Sequence, residues 1–189
     1  EEVTGIDIVQ TQLHLAAGRS LAELGLQQAD IPAPRGFAMQ VRVNMETLAA
    51  DGTVRPAGGT LSAFEVPSGP GLRTDTFGYV GYRTSPSFDS LLAKLIGHTR
   101  STNFSDVVAR TYRALCEFKI EGVATNIPFL QSLLQHPEFI ANRVYTRFVE
   151  DHLAELVTAT NGTHRQLFFA QPTDQRASQP ARAGAKLDS

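Results

Sequence analysis

One segment of the 189-residue chain alternates apolar and polar side chains over eight positions, from Phe37 to Asn44. A period of two is typical of a β-strand with one buried face, because successive side chains point to opposite sides of a sheet. The apolar face would carry Phe37, Met39, Val41 and Val43, and the polar face Gln40, Arg42 and Asn44. The strand therefore requires a core on one side and presents a cation on the other.

Helices are predicted on both sides of this strand. Thr4 is the expected N-cap of a first helix, and Gly18 is a suitable residue to end it. Three later helices are expected at about residues 103–118, 126–135 and 146–157. Asn103 and Asn126 are the expected caps of the first two of these later helices.

The segment between the strand and the later helices contains weaker signals. Residues 45–59 are predicted as a loop. Two short strands, 60–66 and 72–77, flank a turn rich in proline and glycine and are predicted to pair as a hairpin. The run 88–96 fits either a buried strand or a helix.

These elements predict an α+β fold with a small antiparallel sheet, curved or partly closed in the manner of a barrel-sandwich. The first helix is expected beside the sheet and the later helices around it. One domain is expected at 1–157. Residues 158–189 are expected to form a flexible linker or tail, since from about Ala170 they are rich in Ala, Gln, Pro, Ser and Arg.

Composition argues against several classes of function. The formal net charge is −2, so the chain lacks the basic surface with which nucleic-acid binders displace counterions. No apolar run approaches the roughly 20 residues that span a bilayer, and a single cysteine, Cys116, suits a reducing cytoplasm. We therefore expect a cytoplasmic protein that binds neither nucleic acid nor membrane. No metal site is expected.

Arg42 is the strongest candidate in the sequence for a catalytic or binding residue. An arginine on the polar face of a strand is commonly a solvated surface residue. The alternative is that its guanidinium projects into a cleft and holds a carboxylate or another oxyanion, a task that its planar fork of donors suits. Spacing alone leaves both interpretations open.

Four stretches, taken together and in order, resemble the C-terminal region of the biotin carboxylase family. They are residues 2–13, 36–44, 88–96, and 113–118 continuing into 122–130. The similarity extends over about residues 1–156. The chain also begins at Glu1 without an initiator methionine, which is typical of a piece of a longer polypeptide.

The resemblance implies a reaction in which Mg²⁺-ATP and bicarbonate carboxylate the N1′ atom of a protein-bound biotin. Arg42 occupies the position of the family's active-site arginine near the biotin ureido group and bicarbonate. Asp89 matches an aspartate that supports the site, although a capping or surface role fits it equally well. Biotin on a carrier domain, ATP, Mg²⁺ and bicarbonate are the expected cofactors and substrates.

The sequence departs from the family pattern at Pro70 and in the loop 47–59. Arg73 stands where related bacterial enzymes place a subunit-contact arginine, but Pro70 replaces an aromatic residue found in some of them, which weakens the expectation of a shared homodimer. The loop 47–59 also differs, since the commoner pattern carries an acidic residue and a proline soon after the asparagine that corresponds to Asn44.

The family's ATP-grasp portion would lie upstream of Glu1, so we expect the isolated chain to be inactive. Carrier and carboxyltransferase regions are expected further along the parent protein. The resemblance favours an acyl-CoA carboxylase as the parent, then a pyruvate carboxylase, with urea carboxylase a further alternative. A rival interpretation is a non-catalytic assembly or dimerisation module of an ATP-grasp protein.

Overall fold

The computed structural model describes residues 1–85, 87–159 and 167 of the chain. Helices and strands alternate irregularly along these residues, with most strands before most helices. In chain order they are α1 Ile8–Ala16, β1 Phe37–Asn44, β2 Glu46–Leu48, β3 Val54–Pro56, β4 Ala63–Glu65, β5 Leu72–Thr76, β6 Leu91–Thr99, α2 Phe104–Glu117, β7 Lys119–Glu121, α3 Ile127–Gln135, α4 Pro137–Ile140 and α5 Phe148–Ala159. The predicted α+β class is confirmed.

The central sheet has the strand order β1-β6-β5, and both pairings are antiparallel. Strand β1 spans the residues that the sequence pattern predicts. The ambiguous run 88–96 forms the middle strand, β6, from Leu91 to Thr99. Leu92, Ala93 and Leu95 of this strand are almost fully buried, which explains why its sequence reads as a continuous apolar run.

The predicted hairpin between 60–66 and 72–77 is wrong. Strand β4 pairs with β7, and β5 pairs with β6. A two-stranded hairpin is marginally stable on its own, whereas the edge of the buried strand β6 gives β5 a ladder of five residue pairs. The turn at 67–71 therefore redirects the chain between two sheets.

Residues 45–59 are not a simple loop. Strands β2 and β3 form a small antiparallel hairpin within them. Its turn contains Asp51 and Gly52, whose φ is +84°, and Asp51 Oδ1 accepts a hydrogen bond from the backbone N–H of Thr53 at 2.9 Å. Asp-Gly between strands is a known hairpin signal, but three-residue strands are too short to show alternation.

Asn103 and Asn126 occupy the N-cap positions predicted for them, but the predicted cap Thr4 of the first helix is wrong. Helix α1 begins after Asp7, whose side chain accepts from the Gln10 N–H, so Asp7 rather than Thr4 is the N-cap. Asn103 and Asn126 precede α2 and α3, but neither side chain makes a capping hydrogen bond. No residue of α1 is buried, so the helix does not pack into the core of the described residues.

The main core lies between the central sheet and helices α2 and α3. Its buried members are Val41, Val43, Ala93, Leu95, Val108, Ala114, Leu115, Phe118, Leu130 and Leu134. Strand β1 contributes Val41 and Val43 to this core, which leaves its polar side chains on the opposite face of the sheet.

The expected closed or barrel-sandwich sheet is not found in the part of the chain that is described. Its strands form three separate antiparallel sheets, one of three strands and two of two strands. Apart from its first two residues and Leu167, the predicted linker 158–189 lies outside the described residues. None of the helices in 1–85 and 87–159 has the length and apolar character needed to cross a bilayer.

Candidate functional site

Strand β1 positions Arg42 on the exposed face of the central sheet. Val41 is 8% exposed and Val43 fully buried, so the backbone on either side of Arg42 is anchored in the core. The Arg42 side chain is 46% exposed. An anchored backbone with a solvent-accessible guanidinium is an arrangement that suits the binding of an oxyanion.

Asp89 is the direct partner of Arg42. Arg42 Nη2 donates to Asp89 Oδ2 at 2.8 Å, across 47 residues of sequence. The second carboxylate oxygen, Oδ1, accepts from the Leu91 N–H at 3.0 Å, so Asp89 also caps the start of β6. The structure thus brings together the two site residues that the resemblance implies, and it shows Asp89 in a capping contact with β6 as well as in an ion pair with Arg42.

A second cation lies beside Arg42. In the ladder between β1 and β6, Lys94 is the residue directly opposite Arg42, and Asp75 of β5 is opposite Lys94. Side chains at directly opposed positions project from the same face of a sheet. Lys94 was missed by sequence reasoning because its segment fitted a helix as well as a strand, so its face could not be assigned.

Asn44, Glu46 and Ser90, which lie close in sequence to Arg42 and Asp89, form a half-buried polar cluster. Glu46 Oε1 accepts from Asn44 Nδ2 at 2.9 Å, and Glu46 Oε2 accepts from Ser90 Oγ at 2.6 Å. Sequence reasoning also missed Glu46 and Ser90. The signal available for Glu46 was its position two residues after Asn44, the spacing that keeps side chains on one face of an extended chain.

Arg73 lies on β5, where it shares Asp75 with the row of charged residues that includes Lys94. Its guanidinium donates two hydrogen bonds to the Asp75 carboxylate, both at 3.0 Å, and reaches Glu1 at 3.4 Å and Glu2 at 3.7 Å. The hydrogen bond from Arg73 holds the pKa of Asp75 below its ordinary value. The Arg73 side chain therefore has three carboxylates of its own chain around it.

A cavity of about 660 Å³ lies at the end of β6 remote from Arg42, lined in part by Arg35, His98, Arg100 and Arg110. Two of these groups already have partners. Arg110 Nη1 donates to the Pro70 carbonyl at 2.7 Å, and His98 Nε2 lies 3.2 Å from the Arg35 carbonyl oxygen. The described residues contain no cluster of three His, Cys, Asp or Glu side chains suited to a metal ion.

The family model described as "Biotin carboxylase C-terminal domain" matches residues 40–151, which is more than half of the chain. The chain belongs to this family. The match includes the part of β1 that carries Arg42, the segment with Asp89, and the stretch 113–130, so three of the four stretches on which the resemblance depends lie wholly or partly within it. The resemblance to biotin carboxylases is thereby confirmed.

Comparisons with individual proteins agree. The pyruvate carboxylase of Pichia angusta is 41% identical over 172 residues, which are 89% of this chain and 14% of that protein. The solved structure of a single-chain, multi-domain long-chain acyl-CoA carboxylase is also 41% identical, with a TM-score of 0.78 over 91% of this chain and 18% of that one. The chain thus spans about a seventh of the length of the curated relative.

A third comparison concerns a biotin carboxylase domain by itself. The domain dimer of the 2-oxoglutarate carboxylase of Hydrogenobacter thermophilus, solved with MgADP and bicarbonate, is 34% identical with a TM-score of 0.71. The match covers 82% of this chain and 32% of that one.

Proposed function

We propose that this chain is the C-terminal part of a biotin carboxylase that carboxylates protein-bound biotin with ATP and bicarbonate. Arg42 is the residue that carries the proposal, with Asp89 as its support. The observation behind it is that Arg42 projects from an anchored strand, with its guanidinium partly exposed and paired with the carboxylate of Asp89.

The neighbourhood of Arg42 fits an anion. Arg42 and Lys94 are directly opposed cations, and each has a carboxylate beside it, since Asp89 pairs with Arg42 and Asp75 lies opposite Lys94. An anionic substrate bound over this face would interact with both cations. A guanidinium fixed here can stabilise negative charge on bicarbonate, or on the ureido oxygen of biotin as the N1′ proton leaves.

ATP and Mg²⁺ would be bound mainly by an ATP-grasp portion of the same parent, and we expect the isolated chain to be inactive. Helix α1 supports an additional packing partner of this kind. Its apolar residues Ile8, Val9 and Leu13 are largely exposed among the described residues. Apolar groups in this number on one helix are more typical of an interface than of a free surface.

The parent is proposed to be a cytoplasmic acyl-CoA carboxylase, with a pyruvate carboxylase as the second candidate. Both kinds of relative are 41% identical to the chain, so similarity favours neither. The acyl-CoA carboxylase and the Pichia pyruvate carboxylase are far longer than this chain, which supports carrier and carboxyltransferase regions in the parent. A homodimer is also proposed, on the ground that the Hydrogenobacter domain was solved as a dimer.

The test is made in a full-length carboxylase that carries this sequence. Arg42→Ala should strongly reduce bicarbonate- and biotin-dependent ADP release while leaving the oligomeric state unchanged. Arg55→Ala is the matched control, since Arg55 is an exposed arginine on strand β3. Unchanged turnover together with a changed sedimentation coefficient in Arg42→Ala would instead favour a non-catalytic assembly module.

A further inference from the structure

Glu46 joins the two segments that carry Arg42 and Asp89. Asn44, which donates to Glu46 Oε1, lies two residues after Arg42 on β1. Ser90, which donates to Glu46 Oε2, follows Asp89 directly. One carboxylate therefore holds a neighbour of each member of the ion pair.

This link lies where the regular sheet ends. The register between β1 and β6 shifts between Val43 and Asn44, and the last ladder pair is Asn44 with Leu91. Beyond that pair, the Met45 N–H donates to the Ser90 carbonyl oxygen at 2.7 Å. Asp89 lies outside the ladder, so its position depends on how Ser90 is held.

The ion pair between Arg42 and Asp89 is too exposed to set its own geometry. The two side chains are 46% and 67% exposed, and such surface pairs contribute little stability. Glu46 and Ser90 are half-buried, and their hydrogen bond is short and charge-assisted. The hydrogen bond between Glu46 and Ser90 is therefore better shielded from solvent than the ion pair.

The orientation of the Asn44 side-chain amide depends on the carboxylate of Glu46. Its Nδ2 faces the Glu46 carboxylate, and its buried Oδ1 has no hydrogen-bond donor among the described residues. A buried acceptor without a donor is costly. Turning the amide over would place Oδ1 against the carboxylate, so the observed orientation is the one that Glu46 requires.

From this geometry we propose that Glu46 is a positioning residue for carboxylation. It acts through Asn44 and Ser90 to hold Arg42 and Asp89 in register and has no contact with substrate. The inference rests on the proposed function of Arg42, and it adds the first residue of β2 to the site.

The variants to compare in the full-length carboxylase are Glu46→Ala, Glu46→Gln and Ser90→Ala. A small misplacement of a catalytic group can cost about 10²-fold in rate, so Glu46→Ala should lower kcat by up to about that factor without changing KM for MgATP. Glu46→Gln should retain most of the turnover, because its amide can accept from Asn44 Nδ2 and donate to Ser90 Oγ. Ser90→Ala breaks only one of the two bonds and should fall between them.

A double mutant separates positioning from general damage. In the Arg42→Ala background, Glu46→Ala should change turnover by no more than about twofold. A residue that acts through Arg42 cannot lower turnover much further once the Arg42 side chain is removed. Fully additive losses, or a Glu46→Gln variant as impaired as Glu46→Ala, would overturn the inference. Glu65→Ala, at another strand glutamate, is the control.

The outcomes distinguish the two proposals. Unchanged turnover in Arg42→Ala would contradict the proposed function itself. Reduced turnover in Arg42→Ala with normal turnover in both Glu46→Ala and Ser90→Ala would contradict only the role of Glu46. If Glu46→Ala does not fold, Ser90→Ala carries the test, because it leaves the bond between Asn44 and Glu46 in place.

Discussion

Asn126 holds the backbone of Arg42 from a position 84 residues further along the chain: its Nδ2 donates to the Arg42 carbonyl oxygen at 3.1 Å. Its Oδ1 accepts from the Asn44 N–H at 2.9 Å, and its own backbone N–H donates to the Asn44 carbonyl at 3.1 Å. Among the described residues, strand β1 has no neighbouring strand on this side of the central sheet. One asparagine thus replaces a short length of neighbouring strand beside the candidate site.

Asn126→Asp should therefore destabilise the chain although it preserves the size of the side chain. The aspartate can still accept from the Asn44 N–H, but it places an oxygen opposite the Arg42 carbonyl where a donor stood. Asn126 is buried, and a buried polar group without its partner costs about 1–3 kcal/mol. Urea unfolding should show a lower midpoint at an unchanged slope.

Asn103→Asp is the matched control for this substitution. Asn103 also precedes a helix and makes no capping hydrogen bond, but its side chain is exposed. An aspartate there lies near the positive end of the α2 dipole and should be neutral or slightly stabilising. Equal losses of stability in the two variants would contradict a special role for the Asn126 amide.

Asp89→Asn should separate activity from stability. The asparagine keeps an oxygen to accept from the Leu91 N–H but loses the charge that pairs with Arg42. Since exposed ion pairs contribute about 0–1 kcal/mol, the free energy of unfolding should change little. Turnover of the full-length carboxylase should fall, because the Arg42 side chain loses the partner that orients it.

The measurements are the melting temperature of the chain and the steady-state rate of ADP release by the full-length enzyme. Asp106→Asn, in the exposed first turn of α2, serves as the control substitution. Normal turnover in Asp89→Asn would mean that the carboxylate only caps β6, the alternative that its sequence position left open.

The sequence alone predicts correctly that Arg42 lies on the exposed face of β1, because the pattern that indicates this is local. Alternation over eight residues fixes which side chains of β1 face the core, and the nearby valines are apolar enough to make the pattern clear. The partners of Arg42 lie 47 residues away at Asp89 and 84 residues away at Asn126. Contacts between residues so far apart in sequence produce no periodic pattern. Asp89 was therefore identified only through the family resemblance.

The errors in strand pairing have the same origin. Strands β4 and β5 were recognised as extended, but proximity in sequence suggested that they pair with each other. Their true partners, β7 and β6, are chosen by burial and by the edge that each sheet leaves open. Asn126 occupies the predicted N-cap position of α3, but the contacts of its side chain with β1 were not predicted, since a capping asparagine and one that binds a distant strand look identical in sequence.

Gly122 should not tolerate a side chain. Its φ is +93°, and a β carbon there would collide with the backbone carbonyl oxygen of Thr60, near the pairing of β4 with β7. Gly122→Ala therefore combines left-handed backbone strain, about 1–2 kcal/mol, with a steric clash that only a shift of the backbone can relieve. A large decrease in the free energy of unfolding is expected.

Gly81→Ala isolates the strain from the clash. Gly81 has nearly the same φ, +91°, but a β carbon there would have no neighbour within 4 Å. The difference between the two variants in urea unfolding measures the collision with Thr60 alone. Equal destabilisation would show that β4 and β7 can move apart freely, contrary to the close packing observed.

The carboxylate of Glu138 should lose part of its effect on stability in acid. Arg143 donates two hydrogen bonds to it, both at 2.7 Å, and these hold the Glu138 pKa below its ordinary value. Because the folded pKa lies below the unfolded one, the stabilisation is complete above about pH 4.3, the usual glutamate pKa, and is lost as the pH falls through the folded value.

Arg143→Gln tests this directly. In an NMR titration of the side-chain carboxyl carbons, the Glu138 pKa should rise toward its ordinary value in this variant. The stability difference between the two proteins should be small, since both side chains are exposed, and should disappear in strong acid. Arg83→Gln, a substitution elsewhere on the surface, should leave the Glu138 pKa unchanged. A Glu138 pKa that did not respond to loss of Arg143 would show that the two hydrogen bonds do not persist in solution.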